Sequence, residues 1–454
     1  MARERLTRRR FTATVSGGLG AMVVAGGMGS MSAAKTRERN SGAGSGSTGL
    51  VSDPRYMDHV LEPGHPESPD RLRVITAYLD QTGLAALTVP LTEEIPAREH
   101  ILRVHSLAHY DSVKACPTTG TVAELAVSQV LGAVKAVSEG RVRNAFCAIR
   151  PPGHHMQNDG ANYDGACQGR GFCFFSNVAI ALRYAQSVLG RANALVIDWD
   201  YHFGNGTNWF VRTDPSVLFY STHNYYAYPG TGDPLYTGDG AGVGYTVNVH
   251  LEPGATDSDI IGAWDRMFAP KMQQLGFRPD FVFISAGFDS RAADTLGVFA
   301  ITDAGFATLT AKAMAIADQY CAGRLVSVLE GGYNPDGLAR AVCAHVATLA
   351  GLDWQQYVPL APGTPRRGKK PGTAGPQIRG GILRLPDSDA ARVARIGVFG
   401  PSGRQVYAVP QEELGKTVVD LWQRELATAG LVVEITMRDG EKVRLPMEAS
   451  PGHE

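Results

Sequence analysis

The chain has 454 residues, 44% of them hydrophobic, enough for one large domain with a buried core and a smaller appendage. Its 43 basic and 44 acidic side chains nearly cancel, leaving a formal net charge of -1. No basic excess draws it to nucleic acid or to an anionic membrane surface, which excludes those as the organising partners.

Thr7-Arg8-Arg9-Arg10-Phe11 precedes a weakly apolar Gly/Ala/Val stretch that runs to about Ala34, and Ser32-Ala33-Ala34 supplies small residues for cleavage. This order of basic, apolar and small segments over residues 1–34 resembles a twin-arginine export signal. The resemblance implies a protein that folds before export to the periplasm or beyond. The stretch is too short and glycine-rich for a stable membrane span. Residues 35–50, rich in Gly and Ser, read as a flexible linker, with order expected from Val51.

The large domain is expected over residues 51–352. Ser68-Pro69 reads as a helix start, a capping hydroxyl before a proline at the first helical position, and Leu72, Ile75 and Leu79 follow at helical spacing. A second helix is predicted over Val122 to Val137. Ala145 to Ile149 reads as a buried strand running into Arg150-Pro151-Pro152-Gly153-His154-His155, where two prolines forbid helix or central strand and present both imidazoles on a stiff loop. Met156 to Arg170 is polar and has the composition of an exposed insertion. Gly171-Phe172-Cys173-Phe174-Phe175 returns to apolar character, and Asn177 to Leu189 has a helical pattern.

Ala194 to Ile197 is a continuous apolar run, the pattern of a strand buried on both faces, and it stops at Asp198-Trp199-Asp200-Tyr201-His202-Phe203-Gly204-Asn205-Gly206-Thr207. Alternate side chains of an extended chain share a face, so Asp198, Asp200 and His202 can point the same way. A carboxylate and an imidazole two residues apart can grip one cation, and open α/β sheets place ligands beyond the carboxyl ends of their strands. Strands follow at Val217 to Tyr220, Tyr245 to Val249, Phe281 to Ser285 and Leu325 to Leu329, alternating with helices over Ile260 to Leu275 and Phe306 to Tyr320. Two of them close in Ala286-Gly287-Phe288-Asp289 and Glu330-Gly331-Gly332-Tyr333-Asn334. The alternation predicts a doubly wound, mostly parallel sheet sandwiched by helices.

Beyond Leu352 the composition changes. Residues 353–380 read as a Pro/Gly-rich linker, and residues 381–448 as a small β-rich appendage of unassigned role, with one helix near Leu414 to Ala427. None of Cys116, Cys147, Cys167, Cys173, Cys321 and Cys343 sits in a zinc-type C-x-x-C pair. Cys147 and Cys173 lie in apolar surroundings that suit buried thiols, while Cys167, in the polar insertion, is the expected partner in a bridge.

Collected at the strand ends, Asp200, His202 and Asp289 are candidate metal ligands, His154 and His155 bases, Asp198 and Asn205 orienters, and Tyr333 a phenol donor. Three protein ligands leave an open coordination position, which suits catalysis better than structure. Metal-activated water with a neighbouring imidazole as base points to amide hydrolysis. The motifs at 150–155, 171–175, 198–207, 285–289 and 330–334 resemble, in that order, those of the zinc-dependent histone deacetylase and acetylpolyamine amidohydrolase superfamily, most closely its class II branch.

The resemblance implies an arginase/deacetylase-type α/β fold and one Zn2+ per subunit on Asp200, His202 and Asp289. It further implies His155, backed by Asn205, as general base and acid, His154 with Asp198 as its charge-holding neighbour, and Tyr333 on the substrate carbonyl. Phe172 and Tyr228 correspond to the walls of an acyl-lysine tunnel and Leu296 to its rim. A structural K+ beside Asp198 to His202 and Ser221 is a further implication. Phe203 stands where the family commonly has histidine, and Ser176 where it often has asparagine. A di-manganese ureohydrolase of the same broad fold would want D-x-H-x-D, but Gly204 occupies the last position. A non-catalytic acetyl-lysine binding module would not need His154, His155 and Tyr333 together. The expected activity is therefore removal of acetyl groups from an N-acetylated amine, in a peptide or a polyamine.

Overall fold

The computed structural model describes residues 47–158 and 167–358 together with the strands between 377 and 447. In chain order these begin with β1 (Thr48–Val51), α1 (Asp70–Gln81), β2 (Val89–Pro90), α2 (Arg98–Ile101), α3 (Leu107–Lys114), α4 (Thr119–Ser138), β3 (Asn144–Cys147) and α5 (Asn177–Ser187). There follow β4 (Ala194–Asp198), α6 (Asn205–Val211), β5 (Val217–His223), β6 (Thr246–His250), α7 (Asp257–Ala263), α8 (Ala269–Leu275), β7 (Phe281–Ala286), α9 (Asp303–Cys321), β8 (Leu325–Leu329) and α10 (Pro335–Leu349).

The eight strands form one parallel sheet in the order β2-β1-β3-β8-β7-β4-β5-β6. Every residue of β3, β4, β5, β7 and β8 is buried, which is why these strands read as apolar runs rather than as alternating patterns. Helices cover both faces, as the alternation predicted. The order carries the functional consequence: β3, β8, β7 and β4 are neighbours in space although 144 and 325 are far apart in the chain. Their carboxyl ends open into the loops at 150–155, 330–334, 286–289 and 198–207, so the motifs read separately in the sequence converge at the carboxyl end of the sheet's central strands.

Several boundaries differ from expectation. The sheet starts at Thr48, so the last residues of the expected linker form an interior strand paired with β3. Helix α1 buries Leu72, Ile75 and Leu79 as expected, but Ser68 makes no side-chain cap and Pro69 is the N-cap residue. The helix predicted over Ile260 to Leu275 is interrupted by a π-helical turn at Trp264–Phe268, which joins α7 to α8. Helix α10 was not foreseen, though Asn334 accepts from Gly337 N as its cap and Pro335 opens it. Helix α4 is long and apolar enough to cross a membrane, but it is packed inside the domain.

Beyond the parallel sheet lie a three-stranded sheet (Gln377–Arg379, Ile382–Arg384, Val418–Asp420) and a four-stranded antiparallel sheet (Val393–Phe399, Gln405–Ala408, Leu431–Met437, Lys442–Met447). The β-rich appendage is thus present, and the expected helix at Leu414 to Ala427 is corrected at Val418–Asp420, which pairs as a strand with Ile382–Arg384. The proposed export signal and most of the first linker lie outside the described residues. Cys167 bridges to Cys116, with Cα atoms 5.5 Å apart, and the other four cysteines are buried thiols.

Candidate active site

Asp200 and His202 leave β4 on the same side, and Asp289 arrives from the loop after β7. One ligand atom from each lies within 4.8 Å of the others. His202 Nδ1 stands 3.2 Å from Asp200 Oδ1 and 2.9 Å from Asp289 Oδ2. Two carboxylates this close repel unless a cation lies between them. Burial alone would lower the pKa of His202, but the two carboxylates raise it to about 10. Burial and the Asp200 charge push Asp289 up to about 7. A divalent cation fits the same electrostatic demand and the same mixed oxygen and nitrogen donors. Glycine is required on the backbone around the triad, because a Cβ at Gly287 would run into Asp200 and one at Gly331 into both Asp200 and Asp289.

Beside the triad, the cis Arg150-Pro151 segment carries the two histidines. The loop is fixed from below by buried charges. Arg150 Nη2 donates to Glu67 Oε2 at 2.7 Å, and Gly153 N and His154 N donate to Glu330 Oε2 at 2.7 and 3.1 Å. His154 Nδ1 pairs with Asp198 Oδ2 at 3.1 Å. Burial would depress His154, but Asp200, Asp198 and Glu330 hold it well above its ordinary value. His155 behaves oppositely: burial, reinforced by the charges of His154 and His202, holds it well below. Its Nδ1 lies 2.8 Å from Asn205 Oδ1, and an amide oxygen can only accept, so Nδ1 carries the proton and Nε2 keeps its lone pair. Gly204 adjoins this pair because a Cβ there would collide with Asp198. A further carboxylate ligand at this position is therefore excluded by space as well as by residue type.

A cavity of about 410 Å³ opens over these groups, lined by His155, His202, Phe172, Tyr228, Leu296 and Tyr333 together with His65, Gln168, Gly169 and Gly171. Phe172, at φ 67°, lies edge-on to Tyr333 at 5.9 Å and to His65 at 4.5 Å, and Tyr228 stands edge-on to His155 at 4.8 Å. Burial pushes the Tyr333 phenol well above its ordinary range, so it stays protonated and able to donate. Phe203 packs against Phe219 and His223, away from the triad.

Every residue singled out in the sequence as ligand, base, orienter or wall thus falls in this one place. Sequence reading missed His65, Glu67, Glu330 and Asp294. The first two lie some 85 residues before the histidine loop, with no local motif; Glu330 was inside a recognised motif but unassigned. Chemically, the assembly offers a cation site, a neutral imidazole acceptor and a phenol donor around one narrow apolar-walled cavity.

Residues 110–349 match the histone deacetylase domain family. The chain is 35% identical over 323 residues to "Probable deacetylase" of Archaeoglobus fulgidus, covering 67% of this chain and 87% of the relative. It is 34% identical over 312 residues to "Polyamine deacetylase HDAC10" of Homo sapiens, covering 63% of this chain and 44% of that one. A crystal structure of the HDA15 HD domain superposes with a TM-score of 0.61 at 32% identity, covering 69% of this chain and 92% of that one. The chain spans about half the length of several curated relatives that it matches.

Proposed function

Because the chain belongs to the histone deacetylase domain family, we propose that it is a zinc-dependent deacetylase that hydrolyses the acetyl amide of an N-acetylated amine, acetyl-lysine in a peptide or an acetylpolyamine. The observation that carries this reading is the convergence of the Asp200, His202 and Asp289 donors, the His155 imidazole and the Tyr333 phenol on one cavity.

A divalent cation held by Asp200, His202 and Asp289 would supply Lewis acidity to the amide carbonyl and acidity to a water molecule. His155 accepts the water proton at Nε2 as the carbon–oxygen bond forms, and returns a proton to the amine as the carbon–nitrogen bond breaks. Asn205 keeps His155 in the tautomer that permits this. His154, paired with Asp198, balances the charge of the carboxylates behind it. Tyr333 donates to the carbonyl oxygen as it gains negative charge. Phe172 and Tyr228 flank the acyl-bearing chain and exclude water, with Leu296 at the rim. A structural K+ is part of the same reading, supported by fully buried Ser221 lying opposite Asp198 in the ladder.

Export by the twin-arginine route to the periplasm or beyond is our reading of the compartment. The Cys116–Cys167 bridge supports it, because such bonds persist in oxidising surroundings. In such a compartment histones are not the main target. A catalytic unit that runs from Thr48, where the sheet begins, to residue 352, and an appendage over 381–448, are the domain limits in this reading.

The test is purified, metal-loaded protein assayed side by side on acetyl-lysine peptides and acetylated polyamines. Chelation is expected to abolish turnover, and Asp289→Ala to lose bound metal and turnover together. Inactivity of the loaded protein on both substrate classes would refute the reading. A variant keeping one full metal equivalent would remove Asp289 from the ligand set.

A further inference from the structure

Asp294 lies in the loop after β7 and is 7% exposed, yet among the described residues no cationic side chain is in hydrogen-bond reach of it. Its carboxylate is filled by backbone donors from two separate loops. Oδ1 accepts from Leu296 N at 2.9 Å and Gly297 N at 3.1 Å; Oδ2 accepts from Tyr333 N at 2.7 Å and Asn334 N at 3.0 Å. One side chain therefore ties the rim of the cavity to the residue that carries the phenol.

The tie matters because, although Gly331 is also held by Phe288 N on its carbonyl, Asp294 is the acceptor for the backbone N–H groups of Tyr333 and Asn334 themselves. Gly331 and Gly332 precede Tyr333, Gly332 at φ 121°, and two glycines give the backbone wide freedom unless it is anchored. Gly331 N donates to Asp200 Oδ2 at 2.8 Å and Gly332 O accepts from Arg71 Nε at 2.7 Å, but the anchor at Tyr333 itself is Asp294. The ring packs edge-on to Phe172 and beneath the Arg71 guanidinium, 5.0 Å from its centroid, contacts that permit sliding.

Resting on the deacetylase reading, we propose that Asp294 is a positioning residue that holds the Tyr333 phenol at its distance from the metal-ligand triad and couples it to the Leu296 rim. Misplacement of a catalytic donor by about 1 Å costs on the order of a hundred-fold in rate. Asp294→Asn keeps the shape but turns one oxygen into an NH2 group facing two N–H donors, so one of the two loops is released.

The experiment is a double-mutant cycle of Asp294→Asn with Tyr333→Phe, read as kcat and KM on an acetyl-lysine peptide, with metal content and melting temperature for each protein. Asp294→Asn alone is expected to lower kcat about ten- to a hundred-fold with KM within about three-fold and metal at one equivalent. In the Tyr333→Phe background the same change is expected to cost less than about three-fold, since the phenol it positions is already gone. An equal loss in both backgrounds, or an Asp294→Asn enzyme within about three-fold of wild type, overturns the proposal. Should Asp294→Asn fail to melt cooperatively, Asp294→Glu, which keeps both acceptors but displaces them, is read by the same criteria. Failure of both to fold also overturns it, by making Asp294 a stability residue. Failure of the deacetylase reading is distinguishable: wild type is then inactive on acetyl amides, or Tyr333→Phe is as active as wild type.

Discussion

Tyr333, whose phenol makes no hydrogen bond among the described residues, lines the same cavity as His202 of the converging Asp200, His202 and Asp289 donors, and on the proposed reading the chemistry at the scale of single residues rests on that pairing. Preorganised donors aimed at a developing oxyanion are typically worth about 2.7 to 4 kcal/mol. Tyr333→Phe keeps the ring that packs on Phe172 and deletes only the hydroxyl. Turnover on an acetylated amine is expected to fall by about a hundred-fold or more, with metal content and melting temperature near wild type, as steady-state kinetics and thermal melting would show. A mutant that keeps most of its activity would remove the central electrostatic step.

At the scale of elements, α10 closes the fold by docking His345 between α9 and β8. Its Nδ1 meets Thr310 Oγ1 at 2.6 Å and its Nε2 meets Ser327 Oγ at 2.8 Å, and its other ring neighbours are Phe146, Trp199 and Phe288. No charged group faces it in these contacts, and burial lowers its pKa to about 3. The unfolded chain binds a proton there near pH 6.5, whereas the folded chain does not until about pH 3. Between those values the unfolded state holds more protons, so stability is full above pH 6.5 and is lost as pH falls, by about 1.4 kcal/mol per unit. His345→Gln is expected to flatten this loss, by roughly 2 kcal/mol between pH 7 and 5, in urea titrations. A residual slope is expected from His223, which burial lowers to about 4. An unchanged slope would mean that His345 titrates normally in the folded protein.

For the molecule as a whole, the Cys116–Cys167 bridge joins the turn before α4 to the segment that leads into the cavity lining at Gln168 and Gly169. It spans 51 residues, and closing a loop of that length removes unfolded-state entropy worth about 4 kcal/mol in the chain-entropy model. Replacing both cysteines by serine is expected to cost about 2 to 4 kcal/mol, visible as a lower denaturant midpoint that reductant no longer shifts. The compartment reading has its own test at the opposite end of the chain. Replacing Arg8 and Arg9 by lysine is expected to trap the protein inside the cell, as fractionation would show, because the paired guanidinium groups are what the export receptor reads. Unchanged export would leave the disulfide as the sole support for an oxidising destination.

What the sequence determined by itself was the class of fold and the identity of the chemical groups. Buried parallel strands announce themselves as continuous apolar runs, as Ala194–Asp198 and Leu325–Leu329 do, and ligands two residues apart on a strand end share a face by geometry alone. Asp198, Asp200 and His202 were legible for that reason, and the histidine loop because two prolines stiffen it. The tertiary structure decided everything that depends on strand order. Only the adjacency of β3, β8, β7 and β4 brings Tyr333 and His155 to the same cavity, and no local pattern encodes it. It also decided the supports: Glu67 beneath Arg150 and Asp294 beneath Tyr333 act through contacts across 83 and 39 residues of chain. A buried carboxylate whose partners are backbone donors of a distant loop leaves no periodicity or motif, so its place becomes visible only when the chain is folded.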